Sequence, residues 1–162
     1  VKRNRRTDSI LNHEDLITKR LPFSASGSLF RRDILEKVDG FDTNRDLEGT
    51  EDLDLYMKLY RIGIRPLQWS KTPHTLYRTN YGMTNNLKLH GAKLFQRIKG
   101  FHEKGWISNN SLKPANQEIW RQIARTEHKR GEFRDALKSY KKGKLTLSSI
   151  FLRLMAKSRI KI

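Results

Sequence analysis

Between Leu53 and Ile62 the apolar positions are 53, 55, 56, 57, 59, 60 and 62, a distribution that runs nearly all the way round a helix. Such a helix has no face to give to water. It is a core element, and the segments around it must cover it on more than one side. Thr50 is placed to cap this helix, Glu51, Asp52 and Asp54 load its first turn with negative charge, and Gly63 ends it. A chain of 162 residues with 36% hydrophobic and 9% aromatic residues can build that core as one domain, or as one domain with an appendage.

The charge is not spread evenly. Residues 1 to 85 hold 15 Lys and Arg against 12 Asp and Glu, whereas residues 86 to 162 hold 19 against 5. The pattern describes a near-neutral body and a basic extension, and the extension is either a solvated helical surface or a contact for an anionic membrane or nucleic acid. Cysteine is absent, which excludes a disulfide scaffold, a Cys-ligated zinc site and thiol catalysis. No apolar run approaches the roughly 20 residues of a spanning helix. The basic start from Val1 to Arg6 has no apolar stretch behind it to make a signal peptide. The chain is expected to be cytoplasmic, soluble or peripheral on the inner membrane face. Beginning at Val1, it is also expected to be a fragment.

Three regions follow from the pattern. Residues 1–20 are polar and without period, a flexible lead-in. Residues 21–86 carry mixed signals: a short strand over Phe23–Phe30 in which Gly27 lets something approach the backbone, a helix over Arg31–Val38 ended by a left-handed Gly40 with Phe41 packing back on it, then the buried helix. Ile64–Trp69 and His74–Arg78 read as two further short strands, so the body is expected to be α/β. Residues 87–162 lose strand character. They read as helices over Leu87–Gly105, Pro114–Arg130, Glu132–Leu145 and Ser148 to the end. Around Gly131, the positions of Trp120, Ile123, Ala124, Ala136 and Tyr140 resemble a single tetratricopeptide repeat, with Glu127 in place of the usual aromatic. One copy cannot bury a continuous array core, so a helical hairpin docked on the body is expected rather than a peptide-binding array.

The chemistry-bearing residues lie in the middle region. Glu51 and Asp52 adjoin at a helix start, where backbone N–H groups and the helix dipole hold carboxylates ionised. A positioned carboxylate can take a proton from a hydroxyl as that hydroxyl attacks. Arg78 offers a planar charged fork suited to phosphate, and the small residues around Gly27 leave room for a concave site. Read from spacing alone, acidic residues in a first helical turn are also ordinary capping.

Order and identity together add a resemblance. Gly27-Ser28-Leu29-Phe30-Arg31-Arg32, Gly40-Phe41-Asp42, Glu51-Asp52 opening a helix and a late Tyr77-Arg78 resemble the C-terminal half of a family 2 glycosyltransferase with the GT-A fold, over about residues 21–86. The resemblance implies an incomplete GT-A-like, Rossmann-like α/β half followed by an α-helical extension. It makes Asp52 the catalytic base, Glu51 its acidic neighbour, Gly27 and Ser28 the backbone beside sugar and acceptor, and Arg78 the basic position near the donor diphosphate. Its implied partners are a nucleotide-sugar donor and a saccharide or other hydroxyl acceptor, with transfer by inversion. Lys58 stands where the family often has arginine, and Asn80 where a histidine is usual.

A divalent metal, Mg or Mn, is also implied by the family, but the Asp-x-Asp that would hold it belongs to an N-terminal half with no counterpart upstream of residue 21. Asp52-Leu53-Asp54 spells the same letters, yet residues two apart on a helix point about 200° apart and cannot chelate one ion. No metal ligand is therefore assigned, and the chain alone is expected to be inactive. His13, His74, His90, His102 and His128 are scattered without ligand spacing.

The rival reading is a non-catalytic basic module. In it the tail binds nucleic acid, with Phe101, Trp106, Trp120 and Tyr140 as stacking platforms. Ile150, Phe151, Leu154 and Met155 can also share one helical face with Arg153, Lys157, Arg159 and Lys161 around it. That face either meets an anionic membrane surface or packs on the preceding hairpin.

Overall fold

The computed structural model describes residues 12–19, 25–65 and 86–162. Among them the regular structure is entirely helical: α1 (Asp15–Thr18), α2 (Arg32–Lys37), α3 (Glu51–Arg61), α4 (Leu87–Glu103), α5 (Asn109–Arg130), α6 (Phe133–Lys142) and α7 (Leu147–Lys157), with single 3-10 turns at Ala25–Gly27 and Arg45–Leu47. Two compact units are formed, Val1–Asn86 and Leu87–Ile162. Among the described residues no helix is long and apolar enough to cross a membrane.

The expected α/β fold is thus corrected: among the described residues there is no strand and no sheet. Over the described part of Phe23–Phe30 the chain winds into a 3-10 turn in which the Ser28 N–H donates to the Ala25 carbonyl at 3.0 Å. Ala25, Ser26 and Gly27 carry no β-branched or aromatic side chain to favour an extended backbone, and the local bond satisfies the polar groups that a sheet would have served. Of the segment Ile64–Trp69, Ile64 instead completes the end of α3, donating to the Leu59 carbonyl at 3.0 Å. Residues 66–69 of that segment, and His74–Arg78, lie outside the described residues.

In the first unit α3 is enclosed as its pattern demands. Leu55 and Met57 are fully buried, with Leu53, Tyr56, Leu59 and Tyr60 nearly so, and α1 packs Leu16 and Ile17 into the same core against it. Ile62, at the C-cap, is the apolar position left half exposed. Asp54 falls on a buried position of the helix and is met by Lys58 one turn on, at 2.8 Å, which also donates to the Gly40 carbonyl at 3.3 Å. Thr50 stands at the N-cap, but its hydroxyl donates to the Leu47 carbonyl at 2.6 Å and accepts no capping bond from a helix N–H; the Glu51 carboxylate accepts from the Gly49 N–H at 2.6 Å. At the other end Arg65 lies over the Tyr60 ring, 4.3 Å from its centroid, and donates to the Tyr60 carbonyl at 2.8 Å.

The end of α2 differs by one residue from its pattern. Asp39 (φ +54°) is the first left-handed residue and Gly40 (φ +55°) the second, with the Gly40 N–H on the Leu35 carbonyl at 2.9 Å and the Asp39 N–H on Glu36 at 3.4 Å. This is a Schellman closure whose left-handed position is held by aspartate, one of the few residues other than glycine that visit that region. Phe41 then packs edge-on against Phe30, with ring centroids 6.4 Å apart.

In the second unit α5 begins at Asn109, five residues before Pro114. The proline lies in the second turn on an exposed side of the helix, where the carbonyl left without its N–H is open to water. Helix α4 crosses α5 at Gly91, where an added Cβ would sit 2.7 Å from Ile123 Cδ1 and 3.0 Å from Ile119 Cγ2. The α5–α6 hairpin closes at the left-handed Gly131, and the fully buried Ala124 and Ala136 lie in one core with Tyr140 and Ala156 of α7. His128, fully buried on α5, binds the whole arrangement: Nδ1 meets the Tyr140 hydroxyl at 3.1 Å and Nε2 the Ile160 carbonyl at 2.6 Å. A carbonyl only accepts, so Nε2 carries a hydrogen. Glu127, in place of the repeat's usual aromatic, is buried and faces Lys88 of α4 at 3.6 Å, which also pairs with Asp135 of α6 at 3.2 Å.

Two substitutions test this packing. Asp39→Gly should remove a left-handed penalty of about 1–2 kcal/mol and add about 0.5–1 kcal/mol of glycine entropy. A net gain of about 0.5 kcal/mol is expected in urea denaturation midpoints. Gly91→Leu should overpack the α4–α5 crossing and lower stability by about 1–3 kcal/mol in the same measurement.

Candidate functional site

Asp52 is the second residue of α3, and Tyr56, four residues on, shares its face of the helix. That face meets the 3-10 turn. The Ala25 N–H donates to Asp52 Oδ2 at 3.4 Å, and the Ser28 hydroxyl and Tyr56 hydroxyl share a hydrogen bond of 3.2 Å. Gly27 lies exposed in the turn between these two contacts. Phe30 continues from the turn and packs on the Tyr56 ring at 6.3 Å, which steadies the tyrosine whose hydroxyl holds Ser28. Enclosure of α3 therefore does local work at its start: it seats one carboxylate, one phenol and a small-residue turn against one another.

Of the sequence-assigned residues, Asp52, Gly27 and Ser28 are brought together. Glu51 is not, because its carboxylate turns back to the Gly49 N–H; its part is to close the backbone entering the helix. Arg78 lies outside the described residues. Tyr56, a core position by its pattern, also belongs to this site, and the sequence signal for it is its i, i+4 spacing from Asp52. Lys58 serves Asp54 and the Gly40 carbonyl.

The electrostatics correct one expectation. Burial pushes the Asp52 carboxyl above the usual aspartate range, the Ala25 N–H works against that rise, and the neighbouring Glu51 charge adds to it. The helix start therefore does not leave Asp52 more readily ionised than an ordinary aspartate. Once ionised it is a stronger base than one, which favours proton abstraction. Burial likewise raises the Tyr56 phenol, opposed by the Ser28 hydrogen bond and reinforced by the Asp52 charge, so Tyr56 keeps its proton.

A divalent metal does not fit these residues. Asp52 faces Ala25, whereas Asp54 is buried on another side of α3 against Lys58. Among the described residues no group of three His, Cys, Asp or Glu side chains could hold an ion. The aromatic residues considered for base stacking are engaged elsewhere. Phe101 and Tyr140 are buried, Trp106 stacks on Phe101 at 5.6 Å with Lys104 over it at 4.9 Å, and Trp120 lies beneath Lys142 Nζ at 4.0 Å.

No protein-family model matches the chain, and no curated protein and no solved structure matches it.

The raised Asp52 pKa sets a pH signature. The folded state disfavours the ionised carboxyl, so Asp52 costs stability above its raised pKa, and that cost disappears as pH falls below the ordinary aspartate range. Asp52→Asn removes the charge and keeps an oxygen for the Ala25 N–H. Its melting temperature should exceed the parent's at pH 7, and the gain should vanish at about pH 3, in parallel thermal melts.

Proposed function

We propose that the first unit is the acceptor-side part of an inverting glycosyltransferase, with Asp52 as the base. The observation that carries this reading is the meeting of a partly buried carboxylate, its pKa raised by burial, at the start of α3 with the Ala25–Ser28 turn. The reading rests on the site and on the order of its motifs, not on the GT-A-like sheet, which the described residues do not form.

In the proposed step, an acceptor hydroxyl is held against the Asp52 carboxylate. Its oxygen forms a bond to the anomeric carbon of a nucleotide sugar while the carboxylate takes its proton. The bond from that carbon to the diphosphate breaks, and the electron pair leaves with the diphosphate, so the configuration inverts. Tyr56 is a positioning residue, holding Ser28, and with it the turn that also carries Gly27, over the carboxylate. Arg78 is assigned to the leaving diphosphate by resemblance alone. Donor binding belongs to a further part of such an enzyme.

The test supplies a donor-binding half to the chain and follows acceptor-dependent release of nucleoside diphosphate. Asp52→Asn is expected to lower kcat by about 10²–10⁴, the usual contribution of a general base, with donor affinity unchanged. Turnover at the parent's level in Asp52→Asn would overturn the assignment.

A further inference from the structure

Helix α7 is apolar on two sides, and the second unit uses the wrong one for a helix that serves only its core. Ser149, Leu152 and Ala156 turn inward; Ser149 and Ala156 are buried and Leu152 packs on the Ala124, Ala136 and Tyr140 core. The larger Leu147, Ile150, Phe151 and Leu154, at i, i+3, i+4 and i+7, form one face and stay in solvent, 87%, 42%, 62% and 59% exposed. A helix selected for packing alone would bury its large side chains and expose its small ones. This arrangement is fixed from the inner side. The Thr146–Ser149 capping box starts the helix, Arg153 donates to the Tyr140 carbonyl, and the Ile160 carbonyl after the helix accepts from His128. The outward face is therefore not a core face awaiting repacking.

The charge around it identifies what covers it. From residue 136 to residue 162 the chain carries eight Lys and Arg and no Asp or Glu. Lys144 precedes the helix and Lys157 ends it, both exposed. Arg153, expected at the border of this face, turns inward to Tyr140 instead. A second copy of the chain would bring the same cations face to face, so self-association is opposed by charge. Nucleic acid would meet the cations but offer no continuous apolar phase to four large side chains. A lipid surface with anionic headgroups offers both, and at 11 residues the helix is about 16 Å long, suited to lying in the interface and not to crossing it.

We infer that the Leu147, Ile150, Phe151 and Leu154 face of α7 docks the protein on an anionic lipid surface, inserting those side chains below the headgroups while the flanking lysines meet the lipid charge. The inference stands apart from the chemistry assigned to Asp52, which lies in the other unit.

The full chain is sedimented with phosphatidylcholine vesicles and with vesicles containing about one third phosphatidylserine. At least about tenfold stronger partition to the anionic vesicles is expected, falling as salt rises from 0.1 to 0.5 M, because surface charge is screened within a Debye length of about 10 Å or less. The double substitution Phe151→Ser with Leu154→Ser should weaken that binding by about tenfold or more, with unchanged circular dichroism and melting temperature, since neither side chain enters the core. Leu147→Ser with Ile150→Ser is a second pair on the same face and should do the same. Equal binding to both vesicles, or undiminished binding by both pairs, would overturn the inference. So would light scattering that shows a dimer which either pair dissociates, since the face would then belong to a second copy.

Discussion

A helix apolar around its circumference must be enclosed, and in the first unit everything described follows from the enclosure of α3. The carboxyl of Asp54 is carried into the interior by its place on that helix, so Lys58 is drawn in to meet it and in doing so ties α3 to the Gly40 carbonyl at the end of α2. The same enclosure brings the start of the helix against the Ala25–Ser28 turn. Asp52 is partly desolvated as a consequence, and its pKa rises for that reason first. The candidate base is thus a by-product of core formation: a carboxylate on a solvated helix of the same sequence would have the same neighbour in Glu51 and none of the burial.

The second unit shows the complementary case, in which polar groups inside a helical core decide how the helices are held. Small side chains at Ala124, Ala136 and Ala156 let three helices approach closely. His128 uses both ring nitrogens, one across the hairpin and one to the backbone beyond α7. Lys88 reaches from α4 to acidic residues on α5 and α6. These contacts join elements far apart in sequence, and the His128 bond to Ile160 holds the backbone just beyond α7.

Much of this was legible from residue order. The all-round apolar pattern of α3, the stop at Gly63, the hairpin at Gly131 and the small pair Ala124 and Ala136 are local properties, set by side-chain period and by which residues tolerate a left-handed backbone. Other readings failed where a local bond competed with the pattern. Thr50 occupies the cap position yet spends its hydroxyl on Leu47. The Ala25–Gly27 segment closes a turn where a strand was expected. The aromatic residues of the tail looked available for stacking because sequence gives their identity and not their surroundings; Phe101 and Tyr140 are core residues.

Although the short helix at Asp15–Thr18 and the start of α5 at Asn109 were not legible in it, the sequence by itself determined the all-round apolar helix and its stop at Gly63, the hairpin turn at Gly131, that the positive charge collects after residue 85, and that a carboxylate pair opens the helix most in need of burial. These are matters of spacing, composition and backbone propensity, and they need no partner from elsewhere in the chain. Only the tertiary structure decided that Asp52, and not Glu51, faces the turn carrying Gly27 and Ser28, that Tyr56 stands beside it, and that α7 buries Ser149 and Ala156 while leaving Phe151 and Leu154 in solvent. The physical reason is common to all three. Which side of a helix is buried, and which group loses its water, depends on what packs against it, and that is set by residues distant in sequence, whose approach no local pattern encodes.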